Sequence, residues 1–161
     1  MAVREVLRYP HPLLKQVCRP ALRDEAVRVA QDLLDTMRSF PGCVGLAAPQ
    51  IGEPVRVAVV DVREHPRAET SNGLLTLVNP RVEHAEGAAI AREGCLSIPD
   101  LTANVKRATK ILVRAGDVRA ECEGFEARCV LHELDHLDGI LFLDRVESIA
   151  SDLFLRKVYK Q

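Results

Sequence analysis

The sequence contains no tryptophan, and aromatic residues make up only 4% of its 161 residues. Stacking platforms for single-stranded nucleic acid are therefore scarce. It also lacks a basic excess, with 22 Lys and Arg against 23 Asp and Glu and a net charge of -1. A dedicated binder of DNA, RNA or a membrane surface needs such an excess. Long apolar runs are missing too: the longest uninterrupted stretches, such as Val57–Val60, are four residues, far short of a membrane span. The opening Met1-Ala2-Val3-Arg4-Glu5 has neither a secretory apolar block nor the Arg/Ser-rich character of a transit peptide, so a cytoplasmic location is expected. No Cys-x-x-Cys pair occurs among Cys18, Cys43, Cys95, Cys122 and Cys129. An odd count without pairing fits a reducing compartment, where cysteines are mostly small core residues and occasionally ligands or nucleophiles.

What is present suffices for a core: 47% of residues are hydrophobic and 28% charged. The length sets an expectation of one domain over residues 1–161. His11 to Lys15 reads as a short helix with Pro12 in its first turn. A longer helix is expected after a cap at Asp24, with Val27, Ala30, Leu33, Leu34, Met37 and Phe40 on one face and Pro41-Gly42 as its stop. Val55 to Val62 reads as a strand buried on both faces, Leu74–Val78 and Lys110–Arg114 as further strands, and residues 63–73 as a loop. A second helix is expected over Phe125–Leu137, closed by Gly139, with a short strand at Ile140–Leu143. Helix, several strands, then helix is the order of an α+β domain.

The strongest local signal is His132-Glu133-Leu134-Asp135-His136. Residues four apart lie one turn apart on one helix face, so both imidazoles reach one metal ion. Glu133 is offset enough to miss the ion and close enough to take a proton from water beside it. A catalytic site needs a third ligand. Phe142 stands ten positions after His132, where metzincins have a histidine, and only Glu147 offers a downstream glutamate of the thermolysin kind. Cys129 shares the face, but seven residues of helix from Cys129 to His136 rise about 10.5 Å. Donors around a tetrahedral ion are only about 3.5 Å apart, so Cys129 cannot join both histidines. The third ligand is expected upstream, among His11, His65, His84, Cys95 and the acids.

Cys95 stands in Glu93-Gly94-Cys95-Leu96-Ser97-Ile98-Pro99, and an earlier segment reads Cys43-Val44-Gly45-Leu46-Ala47-Ala48-Pro49-Gln50-Ile51-Gly52. With His132 to Gly139, these segments in this order resemble the three motifs of the peptide deformylases. The resemblance implies mostly antiparallel sheets packed around a central helix that carries the histidines. It implies hydrolysis of the formyl group from N-formylmethionyl peptides, with Cys95, His132 and His136 as metal ligands and Glu133 as acid and base. Gln50 and the Leu96 N–H would hold the developing oxyanion, and Gly45 would let backbone approach the substrate, with an unusual dihedral expected there. Val44, Gly45, Leu96, Cys129 and His132 would line the methionine slot. The implied metal is Fe2+, with Zn2+, Ni2+ or Co2+ as replacements, and Asp135 would pair with Arg107.

Four positions depart from the commonest pattern of the family. Cys43 stands for glycine and Arg128 for an apolar residue, as in a subgroup that includes mitochondrial deformylases. Leu131 stands for a glutamine before the first histidine, and Thr102 for an arginine that holds peptide backbone. The tail from Ser148 to Gln161 is short, with Arg156, Lys157 and Lys160 as its cations; a transient ribosome contact is the only nucleic-acid partner expected, with no DNA and no membrane.

Overall fold

A computed structural model describes residues 2–156. Among these residues nine strands form three three-stranded antiparallel sheets, and one helix runs between them. The first sheet joins β1 (Gly45–Ala47), β2 (Val57–Val60) and β3 (Leu75–Val78) in that order. The second has the order β4 (Arg81–Glu86), β7 (Lys110–Ala115), β8 (Val118–Glu123). The third has the order β5 (Ala89–Cys95), β6 (Ile98–Arg107), β9 (Leu153–Leu155).

The strand expected over Val55–Val62 is β2, confined to the all-apolar Val57–Val60, and its composition follows from its surroundings. Val57 and Val59 pack with Ala26, Val29, Leu33 and Met37 of helix α1 (Arg23–Arg38). Ala58 and Val60 face the other way, toward Leu137 and Val130 of helix α2 (Gly124–Leu137). A strand covered by helices on both faces has no solvent side on which to place polar residues. Helix α2 is itself the hub, with ten of its fourteen residues buried. It ends where expected: Gly139 has φ +72°, and a Cβ there would lie 2.6 Å from the Lys15 carbonyl oxygen. Left-handed backbone and a neighbouring chain both demand glycine at that point.

Several expectations are corrected. The N-cap of α1 is Leu22, with Asp24 and Glu25 in the first turn and the Leu22 N–H donating to the Glu25 carboxylate. The helix stops at Arg38, and its buried face runs through Ala26, Val29, Leu33 and Met37; Val27 is 70% exposed and Phe40 lies beyond the end. Buried Asp32 and Thr36 share that face, so hydrophobicity alone mislocated it by about one position. Ile140–Leu143 is not a strand. Phe142–Arg145 forms a 3-10 turn whose preceding Leu141 N–H donates to Asp144 (2.8 Å), while Leu141 and Phe142 enter the core around Leu14 and Ile98. Strands β1, β4, β5, β6, β8 and β9 have no counterpart among the expected strands. In β4 all six residues are exposed, and β5 and β6 carry few large apolar side chains, so the period-two signal is faint.

Candidate metal centre and active site

Two periodicities meet at the centre of the molecule. Helix α2 presents His132 and His136 one turn apart, while β5 presents Glu93 and Cys95, two residues apart and both inward, with exposed Gly94 between them. Rises of about 6 Å over four helical residues and about 6.8 Å over two strand residues are close enough for the two rows to face each other. Cys95 thus meets His136 (Sγ to Nε2, 3.4 Å), and Glu93 meets His132 (Oε1 to Nδ1, 3.0 Å). The strand shifts register between Glu93 and Cys95, and Leu96-Ser97 turn the chain into β6 once Cys95 has paired with Ile98.

Donor atoms of Cys95, His132 and His136 all lie within 4.8 Å of one another, so one ion can touch all three. A thiolate and two imidazoles suit a borderline-soft divalent metal and leave a fourth position open. Among the other upstream candidates, His11 accepts the Leu13 N–H (3.1 Å), His84 sits beside Glu86 on exposed β4, and His65 stacks on Phe125 at 4.3 Å. Cys129 lies apart from the triad on the cleft wall, as its rise along the helix requires.

Glu93 was not singled out from sequence, yet it organises the centre. Its carboxylate accepts from Arg107 Nε and Nη2 (both 2.9 Å), Arg128 Nη1 (2.7 Å) and His132 Nδ1. Burial opposes its charge, but Arg107 and His132 outweigh burial and hold it well below the usual carboxylate range. With Nδ1 engaged, the His132 ring offers Nε2 to the metal. The one available signal was position, because a residue two before a strand ligand shares its face. Asp135 turns away from the centre, as expected, and accepts from Arg107 (2.5 Å) and Arg145 (2.8 Å).

Glu133 is buried, and its Oε1 has no hydrogen-bond partner among the described residues. Burial pushes its carboxyl up to about 7, with Glu93 and Asp135 adding to that and His132 and Arg107 opposing it. Gly45 does not have the left-handed backbone expected of it. Its lack of a side chain serves packing: a Cβ there would lie 2.5 Å from Glu133 Oε2. Gln50 is oriented by the Ala47 N–H, which donates to its Oε1 (3.0 Å), so its amide nitrogen faces Ser97 Oγ (3.1 Å) and Cys95 Sγ (3.5 Å).

These groups open into a cleft of about 340 Å³ whose walls include Val44, Gly45, Gln50, Leu96, Cys129, His132 and Glu133. Every expected site residue therefore reaches one cleft or its metal cluster. Burial keeps Cys129 as a thiol well above the usual cysteine range, and pushes the Cys43 thiol at the rim up to about 11. Leu131 is half-buried against the core of the second sheet, and Thr102 accepts from Arg92 (3.3 Å). Lys157 and Lys160 lie outside the described residues.

Comparison with known proteins agrees with this geometry. The family model for polypeptide deformylase matches residues 3–152. A peptide deformylase of Alkalilimnicola ehrlichii is 42% identical over 99% of this chain and 91% of its own length. One of Heliobacterium modesticaldum is 46% identical over 92% of this chain and 97% of its own length. The Met-Ala-Ser-bound crystal structure of a class I type b peptide deformylase from Acinetobacter baumannii superposes with a TM-score of 0.81 at 33% identity, covering 90% of this chain and 99% of that one. Through its fold, the arrangement of its centre and these relatives, the chain belongs to the polypeptide deformylase family.

Proposed function

We propose that Cys95, His132, His136, Glu133, Gln50 and Leu96 carry out the reaction of this family, hydrolysis of the N-formyl group of nascent formylmethionyl peptides to formate and a free amine. The observation that carries this reading is the convergence of a three-donor cluster with a buried, unpaired carboxylate oxygen of Glu133. Cys95, His132 and His136 would hold a divalent ion, which would supply Lewis acidity to acidify water and polarise the formyl carbonyl. Glu133 accepts the proton of the attacking water and returns it to the departing amine; a carboxyl whose affinity for protons is raised by burial suits both directions. A cation bound by the triad would favour the ionised, accepting form of the same carboxyl. The Gln50 amide and the Leu96 N–H, at the turn beside Cys95, donate to the carbonyl oxygen as it gains charge, each worth about 3 kcal/mol. Val44, Leu96 and Cys129 wall the slot for the unbranched methionine side chain, with His132 at its floor and Gly45 leaving room beside Glu133.

Fe2+ is the proposed native metal, with Zn2+, Ni2+ or Co2+ able to replace it on the same thiolate and imidazole donors. The chain acts as one catalytic domain in the cytoplasm. Among the described residues no helix is long and apolar enough to cross a membrane. Contact with the ribosome is transient, where nascent substrates emerge. Metal analysis of protein purified without oxygen checks the iron assignment. Formate release from a short formyl-Met peptide, beside its acetyl-Met counterpart, tests the function. Rapid release from the formyl peptide alone is expected; preference for the acetyl peptide would assign a different amidase.

A further inference from the structure

The rim of the cleft carries charge that formyl hydrolysis does not use. Arg67, Arg92 and Arg156 all line the cleft and are all exposed. Among the described residues none of the three has a carboxylate oxygen within 4.0 Å, whereas the deeper Arg107 and Arg128 are matched by Glu93. Among the described residues the only carboxylates in the cleft wall, Glu93 and Glu133, are buried below the rim.

The guanidiniums of Arg67 and Arg92 are held in place by neutral contacts, and that of Arg156 packs on backbone. Arg67 lies 4.9 Å over the Phe125 ring and donates to the Arg92 carbonyl (3.2 Å). Arg92 lies 3.6 Å over the Phe154 ring, with its Nε donating to Asn104 (3.2 Å) and its Nη1 to Thr102. Arg156 follows β9, which pairs with β6 through Thr102 and Phe154 and so carries Arg156 back to the β5–β6 hairpin. Its guanidinium rests on Gly94, where a Cβ would lie 2.1 Å from Nη2, one residue from Cys95. The positions are thus set without compensating the charge. Cations pre-positioned in this way at a cleft mouth attract anions and orient them on arrival.

A substrate with its formyl group at the triad and its methionine in the slot sends the rest of its chain out past this rim. At about 3.3–3.6 Å per extended residue, the two residues after methionine span about 7 Å. We propose that Arg67, Arg92 and Arg156 form a subsite selecting formyl-methionyl peptides that carry a carboxylate within the two residues following the methionine. The proposal rests on the deformylase reading of the same cleft. The carboxylate has two possible sources, an Asp or Glu side chain or the free terminus of a short peptide.

Metal-loaded enzyme assayed on formyl-Met-Ala-Glu amide, formyl-Met-Glu-Ala amide, their Gln and Lys counterparts and formyl-Met-Ala-Gln with a free terminus separates these. One or both Glu amides should exceed their Lys counterpart about tenfold in kcat/KM at low salt, chiefly through KM, and the gap should shrink at about 0.5 M salt. A gain with the Glu amides assigns the subsite to side chains; a gain confined to the free terminus assigns it to peptide ends. In the Arg156→Gln and Arg92→Gln variants the acidic-to-basic ratio should fall about threefold each, with Arg156→Lys restoring part of it, whereas a merely structural loss would lower every peptide alike. Acidic, neutral and basic peptides hydrolysed at equal rates at low salt would overturn the proposal. No hydrolysis of any formyl peptide, the neutral Gln amides included, would instead remove the deformylase reading and this subsite with it.

Discussion

At Gly45 the backbone comes close enough to Glu133 that a single methyl group has nowhere to go. A Cβ would meet Oε2 at 2.5 Å and both Cγ and Cδ at 3.1 Å, and the carboxylate is the movable party. Because Gly45 is not in the left-handed region, Gly45→Ala adds no backbone strain; its effect falls on the position of Glu133. We expect kcat to fall about 10²-fold with metal content and melting temperature nearly unchanged, since small misplacements of a proton-transfer group cost about that much. Glu133→Ala goes further: turnover should drop about 10²–10⁴-fold while the ion stays bound, because Cys95, His132 and His136 remain. Metal analysis alongside steady-state kinetics on both variants checks this. A Glu133→Ala protein with near wild-type kcat would remove Glu133 from its proposed role. Val44, Leu96 and Cys129 were readable only as slot walls by resemblance, since single apolar residues carry no local signature of lining a cleft.

Between elements, the centre is a contact of β5 with α2, and Glu93 is its junction. It accepts four hydrogen bonds from three side chains, two of them cations buried with it: Arg107 is 5% exposed and Arg128 is 6%. Glu93→Gln leaves those guanidiniums short of one negative charge in a place water does not reach. Breaking such an assembly typically costs about 3–5 kcal/mol. The same substitution loosens the orientation of His132, and losing an outer partner of this kind lowers metal affinity about 10–100-fold. Urea denaturation of metal-free protein, with chelator competition on the loaded protein, measures the two effects separately. Stability loss without any change in metal affinity would mean that Glu93 braces the fold and leaves His132 to be held by packing.

Over the whole molecule, stability depends on ties between parts that are distant in sequence, and Asp61 is one of them. Its N–H donates to the Val44 carbonyl next to β1, while its carboxylate accepts from Arg63 (2.6 Å) and from Arg38 at the end of α1 (2.7 Å). Arg63 chiefly, then Arg38, outweigh burial and hold this carboxyl well below its usual range. A carboxyl more acidic in the folded than in the unfolded chain contributes stability in full above the unfolded value of about 3.9. That contribution is lost as pH falls toward the lowered folded value. The two arginines are more than half solvated or nearly so, which makes the contribution modest. Wild type and Asp61→Asn should therefore differ in urea midpoint at pH 7, and the difference should begin to shrink below about pH 4 and go on shrinking at lower pH. A difference that persists unchanged at low pH would assign the effect of Asp61 to shape and not to charge.

What the sequence determined by itself is whatever a local period encodes. The spacing of His132 and His136 is one helical turn wherever that helix sits, and the unbroken apolar run Val57–Val60 requires cover on both faces. Gly139 likewise announces the end of α2 through the one conformation other residues resist. Only the tertiary structure decided what crosses from element to element. It chose Cys95 over His11, His65 and His84, because β5 lies against α2 and brings together residues 41 apart in the chain. It likewise made Glu93 the partner of His132, 39 residues away, and laid Arg156 over Gly94 through the pairing of β9 with β6. The physical reason is that β4 and β5 face solvent along much of their length, and β6 carries few large apolar side chains. Strands of that kind are held by backbone hydrogen bonds to distant partners, and a backbone bond leaves no mark on the identity of the side chain above it.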